Sequence, residues 1–89
     1  MIIQAIKSNI LKIQLARRIL ENTALKVTES HTQEKLDVML LEISDFESLS
    51  NSLLERNIDT VKDIQQQQAI MRFVDSTKKY CLRVEQFAA

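Results

Sequence analysis

Residues 56–63 read RNIDTVKD, and whether that stretch breaks a helix decides between two folds. Upstream, Leu36, Met39, Ile43, Phe46, Leu53 and Leu54 recur on one helical face, with Ser50 interrupting it. Downstream, Ile70, Phe73, Val74, Thr77, Tyr80, Cys81, Val84 and Phe87 fall on one arc, out of phase with Leu54, Val61 and Ile64. Asn57, Asp59 and Thr60 are cap formers, and Thr60 with Asp63 resembles a capping box. A break here gives three helices. Without one, residues 32–87 form a single long helix, and the chain becomes a hairpin that must dimerise.

A second weak point, TESHTQ (28–33), offers Ser30 and Gln33 as another box-like pair. Before it, Ile3, Ile6, Ile10 and Ile13 recur at gaps of three and four, and Leu20, Ala24 and Val27 resume the series. Breaks near 28–31 and 56–60 leave helices over about 2–28, 31–56 and 59–87. Equal helices with short connections predict one domain over 1–89, all-α, an up-down-up three-helix bundle with coiled-coil-like packing. The long hairpin is the alternative.

Composition supports this strongly. The chain has no glycine and no proline. Without glycine, left-handed backbone and close main-chain approach to a ligand become costly. That disfavours hairpin turns, the phosphate loop, the dinucleotide fingerprint and the nucleophile elbow together. One cysteine allows no internal disulfide, and one cysteine with one histidine cannot build a zinc site. Neither an enzyme nor a cofactor or metal is expected, and a reducing cytoplasm suits the lone thiol. The longest apolar run, residues 38–41, is far too short for a membrane span. The first 20 residues have the basic amphipathic look of a transit peptide. They are poor in serine, however, and their pattern runs on to Val27.

Charge alternates along the chain. Residues 1–27 are basic apart from Glu21, residues 28–63 are mainly acidic, and residues 64–89 are mainly basic. This pattern predicts an acidic middle helix lying against two basic ones. Arg17 sits where the isoleucine seam should continue. Counting equal heights from the connections predicts a pair with Glu42, Asp75 or both, which would set register.

Few residues suggest chemistry. His31 lies in a connection and lacks ligand companions. Cys81 falls on an apolar arc, where a thiol acts as a small hydrophobe. A Cys81–His31 nucleophile pair would lack an oxyanion hole. Glu34, Asp37, Asp45, Glu55 and Asp59 read as a solvated acidic face.

Apolar side chains beyond those a small core needs are the informative signal. Leu11, Leu15 and Ile19 form a second line on the first helix, and Val38 and Leu41 flank the acidic face of the second. These five are the expected partner-binding residues. The expected function is a non-enzymatic interaction module, an adaptor or small chaperone-like or anti-activator protein. It would bind a partner helix or form a homo-oligomer. The alternative is a small nucleic-acid-linked regulator using the basic stripe Arg72, Lys79 and Arg83. Zero net charge disfavours that alternative.

Overall fold

A computed structural model describes residues 2–56 and 58–88, with Asp59 described by its backbone alone. Helix α1 spans Ile2–Lys26, α2 spans Ser30–Glu55 and α3 spans Ile64–Ala88. A 3-10 turn, Ile58–Thr60, lies between α2 and α3. There is no strand among the described residues. The fold is the all-α three-helix bundle, a rod measuring 49 × 19 × 19 Å.

The third helix begins at Ile64, not near residue 59. The reason is Ile58, which is fully withdrawn from solvent and packs with Ile6 and Val74 at the lower end of the core. Burying Ile58 uses the connection as a plug, so α3 restarts only at the next cap. The expected cap formers Asn57 and the side chain of Asp59 lie outside the described residues.

Both later helices start on the same device, shifted by 34 positions. Glu29 caps α2, accepting from the backbone N–H groups of His31 and Thr32 at 2.9 and 2.8 Å. Asp63 accepts from the Gln65 N–H at 2.8 Å. Four residues past each acid stands a glutamine, whose backbone N–H bonds the cap carbonyl, Gln33 to Glu29 and Gln67 to Asp63. Each glutamine amide also reaches back to a valine carbonyl, Gln33 to Val27 at 2.9 Å and Gln67 to Val61 at 2.7 Å. The two valines are half-buried against the core. Glu29 therefore caps α2 in place of Ser30, and Asp63, a member of the expected pair, accepts from the first turn of α3. The acids win because an ionised carboxylate at a helix N-terminus accepts a stronger bond than a hydroxyl and complements the dipole.

Helix ends manage without glycine. No described residue has positive φ. The chain instead leaves α2 through an extended Arg56 (φ −88°, ψ 155°), whose N–H bonds the Leu53 carbonyl at 3.2 Å.

Packing differs from the charge-based expectation in one respect. The common neighbour is α1, which lies closely along both α2 and α3, while α2 and α3 approach each other much less closely. Two basic helices thus run parallel in contact. Exposed ion pairs give only about 0.2–1 kcal/mol each, whereas burying an aliphatic side chain gives about 1.5–3 kcal/mol. The broad apolar arc of α1, with Ile6, Ile13, Ala16 and Leu20 buried, decides the arrangement. Across the remaining gap, the ring of Phe46 sits 6.0 Å from Phe73 and 5.1 Å from Tyr80. These rings hold α2 and α3 together and also keep them apart.

The core falls into two apolar parts. The upper holds Ile13, Ala16, Leu20, Leu36, Ile43, Cys81 and Val84, and the lower holds Ile6, Ile58 and Val74. Between them in sequence height, each helix buries one polar residue: Asn9, Ser50 and Thr77. Asn9 donates its amide to the Val74 carbonyl at 3.1 Å, and the Thr77 hydroxyl donates to Phe73 at 2.9 Å. The Asn9 Oδ1 and Ser50 Oγ atoms are buried without a hydrogen-bond partner.

Candidate interaction surface

Arg17 answers the question its position raises, but with a different acid. Its Nη2 meets Glu47 Oε1 at 2.7 Å, with both side chains about one-quarter exposed. Glu42 instead accepts the Tyr80 hydroxyl at 3.0 Å, and Asp75 lies exposed on the rim of a shallow groove with Ile2, Ile64 and Met71. Matching backbone heights gave the wrong partner because helical side chains lean toward their own N-terminus. On antiparallel helices two such leans converge. Arg17 reaches back about one turn on α1 and Glu47 about one turn on α2, so their backbones stand roughly two turns apart.

That ion pair marks the side of α1 that faces α2, and the Asn9–Val74 bond marks the side that faces α3. At about 100° per residue, Leu11 and Leu15 point more than about 100° away from both. They are 63% and 57% exposed. Ile19 is not part of this ridge, because it is half-buried against the upper core. The sequence line turned gradually around the helix, and its last member reached the α3 seam.

On α2, Leu41 points away from both neighbours and is 68% exposed. Val38 leans toward the α3 side, in one stripe with Glu42, Asp45 and Leu49 (spacing four, three, four). The α1 ridge and the α2 residues therefore occupy different faces of the rod and do not form one site.

Two apolar residues that matter were missed in the sequence. Leu82 is exposed on the flank of α3 beside α1, and the parallel register set by Asn9 and Val74 brings it near the height of Leu15. Leu49 is exposed at the gap between α2 and α3. There it lines a cavity of about 240 Å³ with Leu53, Ala69, Ile70 and Phe73. Neither belonged to an apolar arc, so helical period alone gave no signal for them.

Cys81 is buried, and its thiol is pushed up by that burial and by Glu85, while Lys12 opposes. His31 is exposed in the first turn of α2. No cluster of three His, Cys, Asp or Glu side chains able to hold a metal ion occurs among the described residues. No described helix is long and apolar enough to cross a membrane.

Tyr80 offers a test of the α2–α3 contact. Burial raises its phenol above the ordinary value near 10, and the hydrogen bond to Glu42 and its charge raise it further. A raised acid pKa in the folded state means its stabilisation is complete below pH 10 and is lost as the pH climbs beyond. Melting temperatures of wild type should therefore fall between about pH 9.5 and 11.5 more steeply than those of Tyr80→Phe. Parallel alkaline limbs for the two proteins would show that the phenol is not held in this way.

No protein-family model, curated protein or solved structure matches this chain.

Proposed function

We propose that this chain is a non-enzymatic protein-interaction module, an adaptor or small chaperone-like protein acting in the cytoplasm through exposed apolar helix faces. The observation that carries the reading is the pair of outward ridges, Leu11 with Leu15 on α1 and Val38 with Leu41 on α2. Single exposed leucines are ordinary on any protein. Here they recur at helical spacing on sides of their helices that no other described element covers, which suits burial against a partner helix. Their placement on separate faces suits a connector that holds two chains at once. Of the basic stripe, Arg72 shares a groove with acidic Asp75, and Arg83 lies near Tyr80, whose hydroxyl bonds Glu42. That neighbourhood favours protein over nucleic acid as the ligand, because phosphate affinity needs an unopposed positive field.

Photo-crosslinking residues placed at positions 15 and 41 in the native host test the reading. A discrete product at either position, absent when the probe is at exposed Gln14 and lost with Leu11→Glu, supports it for that ridge. Products no stronger than those from position 14 at both sites overturn it. Salt-sensitive retention on DNA or RNA, abolished by Lys79→Glu with Arg83→Glu, would put the nucleic-acid regulator in its place.

A further inference from the structure

Helices α2 and α3 approach each other less closely than either approaches α1. Aromatic rings span the gap between them, so the backbones stay apart and an apolar groove remains open on the side away from α1. Its floor includes Leu53, Ile70 and Phe73, and Leu49, on its edge, is 54% exposed. The rims carry opposite charge. On α2, the stripe that holds Val38 and Leu49 also holds Glu42 and Asp45. On α3, Ala69 lines the same cavity, and Ser76, Lys79 and Arg83 continue its stripe with no acid, while Arg72 lines another groove with Ile2 and Asp75.

Resting on the interaction-module reading, we infer that this groove is a homodimer face, and that its occupant is the same groove of a second copy of this chain. Charge complementarity selects both the occupant and the symmetry. A two-fold axis along the rod lays α2 of one copy against α3 of the other, antiparallel and at unchanged heights. The Tyr80–Glu42 bond brings the side-chain ends of residues 80 and 42 to one height within one chain. Along this axis, Glu42 and Asp45 therefore face the partner's Lys79 and the partner's Arg83, and the reverse pairs form by symmetry. Leu49 is level with Ala69 and Phe73, which line the same cavity. It would insert beside the partner's Phe73, making an apolar centre with a charged rim. A two-fold axis across the rod does the opposite. It stacks α2 on α2 and α3 on α3 with heights reversed, and where it passes the level of residues 42 and 79 it sets acid against acid and base against base. Like-charge contact disfavours that placement.

Light scattering on the full chain at about 100 µM tests this, the concentration being on the order needed to populate a small interface. The expected mass is twice the 10.3 kDa of one chain. Leu49→Asp should weaken the dimer at least about 100-fold while leaving helical circular dichroism unchanged, since Leu49 is already half in water. The decisive step is a charge swap. Lys79→Glu with Arg83→Glu, and separately Glu42→Lys with Asp45→Lys, should each give monomers alone, and the two proteins mixed should form a one-to-one dimer. Rescue on mixing requires that the charged stripes of two copies meet across the interface. A monomeric wild type, a dimer indifferent to Leu49→Asp, or a mixture that stays monomeric each overturns the inference. If the crosslinks at positions 15 and 41 persist in that case, the interaction module stands and only its self-pairing is lost. If the swap succeeds while both crosslinks fail, the ridges are lost and the groove dimer stands.

Discussion

Phe46→Ala is expected to destabilise the bundle by about 3 kcal/mol, read from urea or thermal unfolding. The size follows from what the ring does. It is half-buried, so the transfer loss alone sits at the lower end of the range for removing a phenylalanine. It also makes ring contacts with both Phe73 and Tyr80, each worth about 0.5–1.5 kcal/mol beyond buried area. No close backbone packing between α2 and α3 compensates when these contacts go. Hydrogen exchange should show amides of α3 opening before those of α1. A loss under about 1 kcal/mol would mean that α1 alone holds α2 and α3 in place.

The second large effect has the opposite sign. Asn9→Leu combined with Ser50→Ala should raise stability by about 2–4 kcal/mol, because each removes a buried oxygen that has no partner. The Val74 carbonyl loses the Asn9 amide, yet it lies mid-helix and keeps its place in the α3 ladder. Stability gained in this way should cost uniqueness. The Asn9–Val74 bond ties α1 to α3 across parallel helices, and an all-apolar layer would tolerate α3 shifted along α1. Two-dimensional amide spectra of the double variant should show extra or broadened peaks. A double variant less stable than wild type would show that the layer is satisfied in solution and stabilises the fold.

Much of the fold is legible in the sequence because glycine and proline are absent and three apolar arcs are present. The helix bounds are readable to within about two residues, except at the start of α3. There Ile58 looks like a loop residue, and burial of that single side chain delays the helix until Ile64. The caps mislead for a related reason. Ser30 with Gln33 fits the common box, whereas Glu29 is the cap of α2, and Glu29 and Asp63 with their following glutamines make a less familiar device. Arg17 does find an acid, but equal height holds between backbones and the pair forms between leaning side chains. Of the expected partner residues, Leu11, Leu15, Val38 and Leu41 are exposed, and Ile19 is not free. Leu49 and Leu82 gain their interest only from the helices beside them, which a one-dimensional pattern does not contain.

The central place of α1 bears on how the chain is made. Synthesis delivers α1 first, and α2 can fold back on it at once through a three-residue connection at positions 27–29. Its other flank must wait for α3, since Asn9 finds the Val74 carbonyl 65 positions further on. Contacts that distant close late, because loop entropy is lost before they form. During that interval the nascent chain is a two-helix hairpin with half of its organising helix bare. The side of α1 that later receives α3 is then open to the ribosome surface, to chaperones and to neighbouring copies. How long that side stays without intramolecular cover is set by how quickly the ribosome delivers α3.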